Sequence, residues 1–295
     1  MGFSAITTVI SAAANNDLTD LVTTKNELGK TMPCDDAWLT KAITQVSRAI
    51  RSYIKRVLVP EVVQDQFDYR TQPSQNCGTT RMAELQLTRW PILGIVSVSQ
   101  LQSNATTLAL IEGTDFRVNY ETGALLRLNS SGYSTLWESL PITVIYMAGY
   151  GAKVTETQTV PATPYKVTVA QSAAFSCDQS VSYASGVKLA RVSATPAAGQ
   201  YSVAAGVYTF AAADAAQSLT FVYGAKSLPE DLVEVCLRLI NARYRAKDRD
   251  PALVQMETPG VGIQRFWVGR TPGQSSAFPP DIEHMLDTYL MPVVG

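Results

Sequence analysis

Charged residues are scarce in this chain of 295 residues. They make up 17% of it, whereas about a quarter is usual in globular proteins. The formal net charge is −1, so the chain as a whole has no attraction for nucleic acid, and any DNA contact would come from local patches. Ser, Thr and Ala are plentiful instead. This bias favours β-structure and surfaces that become buried against other copies of the chain.

Residue patterns typical of catalytic, metal-binding and nucleotide-binding sites are also missing. Cys34, Cys77, Cys177 and Cys236 lie far apart and form no CxxC or Cys/His spacing, which excludes the usual zinc sites and disulfide frameworks and fits a reducing cytoplasm. The sole histidine, His284, lies in an amphipathic segment and reads as a surface or interface residue. No P-loop or GxGxxG is present. We therefore expect no enzyme, no metal and no cofactor.

Long apolar runs are absent as well, so no membrane contact is expected. The N-terminal run "MGFSAITTVISAAANNDLTD" lacks a basic start, and Thr and Ser interrupt its apolar stretch, so it does not read as a signal peptide.

One long helix is predicted by "CDDAWLTKAITQVSRAIRSYIKRVLV". Its apolar residues recur at spacings of three and four, and Asp35 or Asp36 could cap its start. A shorter helix, "TTKNELGK", is predicted before it. Four basic residues lie together on the other side of the long helix: Lys41, Arg48, Arg51 and Lys55. Two interpretations stay open, because such a stripe can be a solvated face or a contact for DNA or an acidic neighbour.

Period-two alternation replaces the helical period from residue 59 to residue 150, which predicts a small antiparallel β unit. Residues 154–226 contain almost no helical period and few charges. They read as short strands at Lys166–Val169, Val187–Arg191, Gln200–Val203, Val207–Phe210 and Leu219–Tyr223. Regular short strands of this kind predict a small sandwich.

The helical period returns in "PEDLVEVCLRLINARYRAKD", with Pro and acidic residues at its start and Arg243 and Arg245 near its end. The remaining tail is loop-rich, with a possible strand at Ile263–Val268. It closes with "PPDIEHMLDTYLMP", whose apolar residues share one helical face: Ile282, Met285, Leu286 and Tyr289.

The expected fold class is therefore α+β: a small helical bundle with an antiparallel β unit, plus an inserted all-β domain. The expected domains are a discontinuous one at 1–153 and 227–295, an inserted sandwich at 154–226, and a loop-rich C-terminal segment at 251–295 that ends in a short helix.

The order of these segments resembles the head–tail connector (adaptor) proteins of tailed bacteriophages, over roughly residues 20–150 and 227–291. The matching pieces are "DLVTTKNELGK", "DDAWLTKAITQVSRAIRSYIKR", "LTRWPILGIVSV", "DFRVNYETGALL", "VIYMAGY", "LPEDLVEVCLRLINARY" and "PPDIEHMLDTYLMP". No single piece is a catalytic signature, and the ordered set carries the resemblance. The chain departs from the compact family members where a short loop has become an insert, and "ATPAAGQYSVAAGVYTFAAADAAQSLTFVYGA" looks like an immunoglobulin-like module that recurs in phage structural proteins.

This resemblance implies a structural virion protein at the head–tail junction, assembled in the host cytoplasm. It implies a ring of about twelve identical subunits, docked beneath the portal protein, that extends the DNA channel and carries the next neck or tail protein. The C-terminal region would dock to the portal, with Phe266 and Trp267 and the apolar face of the last helix as candidates. That helix could equally pack on its own bundle. Non-specific double-stranded DNA would pass the candidate channel-facing residues Lys41, Arg48, Arg51, Lys55, Arg243 and Arg245.

Two alternatives remain from other classes. One is a phage tail-tube or capsid decoration protein present in many more copies. The other is a carbohydrate-binding virion protein whose β-module is the binder. The helix–β–helix order argues against both, because such proteins are usually dominated by strands.

Overall fold

The computed structural model describes residues 5–67, 84–102, 105–137, 141–247, 255–258, 262–265 and 278–290. The chain forms two compact units. The β unit comprises Met1–Asn15 and Val57–Ser227, and the helical unit comprises Asn16–Arg56 and Leu228–Gly295. The predicted insert therefore shares a unit with the preceding strands, and the boundaries drawn from the sequence stay a prediction.

Almost all described strands belong to the β unit. In chain order they are β1 (Ala5–Ser11), β2 (Glu61–Phe67), β3 (Glu84–Gln86), β4 (Ile92–Leu101), β5 (Thr107–Leu110), β6 (Phe116–Asn119), β7 (Ala124–Leu128), β8 (Ser134–Thr135), β9 (Ile142–Ala148), β10 (Gly151–Thr159), β11 (Lys166–Thr168), β12 (Phe175–Tyr183), β13 (Ala190–Arg191), β14 (Gln200–Ala204), β15 (Val207–Phe210) and β16 (Ser218–Lys226).

A five-stranded antiparallel sheet forms the centre of the β unit, in the order β1-β2-β9-β4-β5. One face packs against a smaller sheet built from β3, β7 and β6, with β8 on β7. The core between them includes Val63, Val144 and Tyr146 from the central sheet, Phe116 from the smaller one, and Trp137 just after β8. The predicted β unit is therefore present. From Ile142 to Tyr146 buried and half-buried residues of β9 alternate, and Met147 and Ala148 are both buried.

The opposite face of the central sheet contacts β12 through a small cluster that includes Val62, Met147 and Cys177. Here the chain turns away after β9 at Gly149, whose φ of +135° lies in a region that glycine adopts far more readily than other residues. A side chain at Gly149 would also meet the backbone of Pro60 at 2.7 Å. This turn lets the chain leave β9 and enter β10 directly.

Residues 151–226 fold as a two-sheet sandwich. One sheet has the order β10-β16-β12 and the other the order β11-β15-β14-β13. Aromatic rings fill the space between them, with Tyr208 and Phe221 at 5.0 Å between ring centroids. The predicted strand Val207–Phe210 matches β15, whereas β10 and β12 were not predicted from the sequence.

The described part of the helical unit contains α1 (Leu21–Glu27), α2 (Asp36–Ile54), α3 (Glu230–Arg245) and α4 (Pro280–Asp287), together with a hairpin of β17 (Gln255–Thr258) and β18 (Gly262–Arg265). α2 and α3 each bury one apolar stripe, and Ser47 of α2 lies 3.9 Å from Cys236 of α3, side chain to side chain. None of the described helices is long and apolar enough to cross a membrane.

The helix starts differ from those predicted. Asp20 caps α1 by accepting a hydrogen bond from the Thr23 amide, so this helix begins before Thr23 and Thr24. A 3₁₀ turn, Pro33–Asp35, precedes α2, and the Asp35 side chain makes no capping bond. That carboxylate instead has a partner on α3, described below.

Candidate nucleic-acid interface and docking helix

The four basic residues of α2 do share one face. Lys41, Arg48 and Lys55 are exposed and Arg51 is half-buried, on the side opposite the buried stripe. Lys55 ends the helix in the left-handed conformation. Burial, and then the charge of Arg48, lower the pKa of the Arg51 guanidinium, as expected where cations are crowded. We call Lys41, Arg48, Arg51 and Lys55 the basic stripe.

The end of α3 brings a further cation to this face. The Arg243 side chain donates a hydrogen bond to the Gln45 side chain at 3.5 Å, and Gln45 stands one helical turn from both Lys41 and Arg48. Arg245 is not part of this arrangement, because two residues along a helix correspond to about 200° of rotation. Its guanidinium bonds Asn241 on α3 itself, at 2.9 Å.

Acidic residues at the start of α2 are matched by lysines within the helical unit. Asp36 pairs with Lys25 at 2.8 Å, and Asp35 pairs with Lys247 at 2.7 Å and accepts a hydrogen bond from the Tyr244 hydroxyl. The bond from Lys247, and then that from Tyr244, hold the pKa of Asp35 below its ordinary value.

A third carboxylate, that of Asp17, accepts a hydrogen bond from Thr44 at 3.3 Å, beside the basic stripe. The positive charge of the stripe is therefore greatest toward the C-terminal end of α2, where Arg48, Arg51 and Lys55 follow one another.

The last helix, α4, packs on the helical unit. Ile282 and Leu286 are buried, and the preceding Phe278 stacks edge-on against Tyr53 of α2 with ring centroids 5.3 Å apart. A helix with one such apolar stripe gains most of its stability by burying it. Two predicted docking residues thus lie inside the bundle, while Met285 and Tyr289 are half-buried.

Tyrosine–carboxylate hydrogen bonds hold α4 at both ends. The Tyr53 hydroxyl lies 3.0 Å from Glu283 and 2.8 Å from Asp287, and the Tyr289 hydroxyl donates to Asp231 of α3 at 2.6 Å. The other predicted docking residues, Phe266 and Trp267, lie outside the described residues. The docking role of the whole set stays a prediction.

Sequence reasoning missed the buried carboxylates of the β unit, of which Asp65 and Asp178 each accept hydrogen bonds from more than one hydroxyl group. Asp65 accepts hydrogen bonds from the hydroxyls of Thr7, Thr88 and Tyr146. No motif marks it, because its partners are distant in the chain. Since every donor comes from a neighbouring strand or loop of the same sheet, the arrangement is structural.

The second buried carboxylate, Asp178, accepts hydrogen bonds from Tyr201 at 2.7 Å and Tyr208 at 2.8 Å, and the Arg191 guanidinium lies 3.8 Å away. Burial raises the pKa of Asp178, although these partners oppose the shift. Within the ranges described above, no group of three or more His, Cys, Asp or Glu could hold a metal ion.

Two solved structures are similar to the chain over nearly its whole length. One is a chain from the neck of an empty gene transfer agent particle computed with C6 symmetry, at a TM-score of 0.45, 9% identity and 98% coverage of each chain. The other is a chain from the virion of a native gene transfer agent particle, at a TM-score of 0.44, 9% identity and 98% coverage of each chain. No family model matches the chain, and no curated protein matches its sequence. With scores and identities this low, function has to be inferred from the residues of this chain.

Proposed function

We propose that the chain is a structural head–tail adaptor of a tailed bacteriophage, without enzymatic activity. About twelve copies would form a ring under the portal protein, extend the DNA channel, and carry the next neck or tail protein. The protein would reside at the head–tail junction of the virion, after assembly in the host cytoplasm.

The order of elements along the chain carries this proposal. The helix pair α1–α2 leads into an antiparallel β unit, the strand "VIYMA" takes the middle position of the central sheet, and α3 and α4 complete the bundle. This is the order on which the resemblance to head–tail adaptors rests. The sandwich is inserted at the one loop where the chain departs from the compact family pattern. The remaining elements therefore keep the family's order along the chain.

The basic stripe and Arg243 support a role beside DNA. A channel has to let DNA slide, so the useful interaction is a diffuse attraction to phosphates without contacts to bases. Exposed lysines and arginines on one helix face can supply this attraction. We propose that this face lines the channel, with Arg245 outside it.

Docking to the portal would use the C-terminal segment. Because Ile282 and Leu286 are already buried in the bundle, the available side of α4 is the one that carries Met285, with Tyr289 just beyond the helix. We propose that this side, together with Phe266 and Trp267, meets the portal while α4 stays packed.

The first experiment is the copy number in purified virions, measured by quantitative mass spectrometry against the portal protein. A ratio near one to one is expected for a ring matched to the portal. A large excess would indicate a tail-tube or decoration protein, and absence from virions would refute a structural role.

A further inference from the structure

The central sheet of the β unit has two open edges. In the order β1-β2-β9-β4-β5, neither β1 nor β5 has a second neighbour among the described strands. The outer N–H and C=O groups of an edge strand are ready to pair with a strand of another chain. The free edges of this sheet are therefore candidate surfaces for association.

Arg191 donates a hydrogen bond to Ser11 at the end of β1. The rest of both edge strands lacks the usual protection against pairing. Monomeric proteins guard free edges with lysines, prolines or strongly bulged strands. Residues 1–16, which contain β1, and residues 90–111, which contain β5, include no acidic or basic residue. Proline is absent from both strands, and the one irregularity of β1 lies at its end, between Val9 and Ser11.

Each edge also exposes an apolar side chain on the same face of the sheet. Val9 lies directly opposite Val63, which belongs to the core facing the smaller sheet. Leu110 belongs to that core too. The Leu108 side chain points to the same face, because strand residues two apart lie on the same side of a sheet. Val9 is 41% exposed and Leu108 is 42% exposed.

The strand directions suit head-to-tail association. The sheet is antiparallel at each of its four pairings, so β1 and β5 run in the same direction. A rotation about an axis along the strands would place β5 of one copy beside β1 of the next, in parallel. Such an interface joins two different surfaces of one chain, which is what a closed ring requires.

We propose that β1 pairs with β5 of a second copy of this chain, so that the central sheets of neighbouring subunits join edge to edge. Val9 of one copy then packs beside Leu108 of the next, and ring closure leaves neither edge of the central sheet free. This inference rests on the proposed function for the ring itself. It adds the strands and side chains that form the subunit interface.

Cross-linking between introduced cysteines tests the pairing. The full chain carries Cys34→Ser and Cys77→Ser, while Cys177 and Cys236 are buried and unreactive. Val9→Cys and Leu108→Cys are then added singly and together, and purified particles are treated with a short bis-maleimide. The double variant should give a ladder of cross-linked oligomers, and each single variant should stay at monomer mass.

Two results would overturn the pairing. One is a normal copy number without a ladder. The other is a dimer from Val9→Cys alone, which would mean that β1 meets β1. If the folded protein is absent from particles, the proposed function fails, and the same reaction on concentrated purified protein decides the edge pairing: a ladder supports it and monomers refute it.

A charge placed at the edge gives an independent measurement. Leu108→Lys is combined with Thr8→Cys and Thr107→Cys, two exposed positions that share the other face of the edge strands. It should abolish the ladder that this cysteine pair otherwise gives, because the ammonium group would be desolvated at the interface. Leu136→Lys is the matched control, since Leu136 is 43% exposed and lies outside both edge strands. A ladder that survives Leu108→Lys contradicts the proposal, provided that both variants keep the parent thermal unfolding temperature.

Discussion

The two compact units use charge in opposite ways. More than half of the acidic and basic residues lie in the helical unit, which holds little more than a third of the chain. Among its described residues the helical unit buries no carboxylate. The β unit has fewer charges, yet it buries Glu61, Asp65, Asp178 and Asp214.

This difference separates two kinds of surface. The buried carboxylates of the β unit are held by hydroxyls or arginine in its interior. The edge strands of its central sheet, β1 and β5, contain no charged residue. The helical unit keeps its charges outside, where the basic stripe can attract phosphate. An uncharged edge suits permanent contact between subunits, and a basic helix face suits a sliding polyanion.

The largest expected change in stability comes from a substitution in the interior of the helical unit. Leu286 is 0% exposed, so Leu286→Ala should lower the free energy of unfolding by about 2–5 kcal/mol through the cavity it leaves. Leu290, 36% exposed and just beyond the same helix, is the control, and Leu290→Ala should cost at most about 0.5 kcal/mol. Denaturant unfolding followed by helical circular dichroism measures both. Equal effects would mean that α4 does not pack as described.

The next effect concerns the buried polar groups of the β unit. Tyr208→Phe removes one hydrogen bond to Asp178 and should cost about 1.5–3 kcal/mol, because the acceptor is a buried carboxylate. Tyr133→Phe, at an exposed position, should have no measurable effect. Denaturant unfolding of both variants supplies the comparison, and unchanged stability in Tyr208→Phe would argue against the network.

The same variant should show a pH dependence. Burial raises the pKa of Asp178 in the folded chain, so folding favours its protonated form, and the free energy of unfolding falls as pH rises from about 4. Tyr208 opposes that shift. Its removal should therefore cost more at neutral pH than at mildly acidic pH, and a destabilisation independent of pH would contradict this assignment.

A smaller effect is expected on DNA binding. Lys41→Glu with Arg48→Glu reverses two exposed charges of the basic stripe and should weaken binding to double-stranded DNA by about tenfold or more at low salt. The plot of log affinity against log salt should become shallower by about 0.9 for each phosphate that the variant no longer neutralises. Lys166→Glu with Lys188→Glu, at exposed positions of the β unit, is the control. Equal weakening by both pairs would remove the stripe as a specific DNA-facing surface.

The smallest effect is a pH profile in the helical unit. The pKa of Asp35 is lowered in the folded chain, so its interaction contributes stability above the unfolded pKa of about 3.9, and this stability disappears as pH falls through the folded value. Asp35→Asn should flatten the acid limb of the unfolding curve. Lys247→Gln should act in the same direction, since it removes the first cause of the shift. An unchanged acid limb in both variants would refute the interaction.

Helices were the most predictable part of the fold. The apolar stripe of α2 follows from spacings of three and four, and the basic stripe follows from the same period. The sequence of α3 is apolar on several sides and predicts packing on more than one face, whereas the structure buries one stripe of it. Arg243 could be assigned to a helix end, but its place beside Gln45 depends on how α3 packs on α2. The burial of Ile282 and Leu286 likewise depends on packing, because an apolar face can meet its own bundle or a partner.

The strands were harder to predict, for identifiable reasons. β12 shifts register between Phe175 and Cys177 and again between Asp178 and Ser180, which breaks the period-two pattern. Most of β10 is polar, so it has little apolar alternation to detect. β1 is an edge strand with exposed residues on both faces, and its side chains did not distinguish it from an irregular segment.

The pairing of β10 with β16 has a practical consequence. Gly151 lies opposite Lys226, so the chain leaves and re-enters the central fold at adjacent backbone positions. A foreign domain whose termini stand about 5 Å apart could replace the sandwich without stretching the parent fold, which makes this junction a fusion point for displaying cargo. Val62 and Met147 would then no longer be covered by Cys177, and polar substitutions there would keep the redesigned protein soluble.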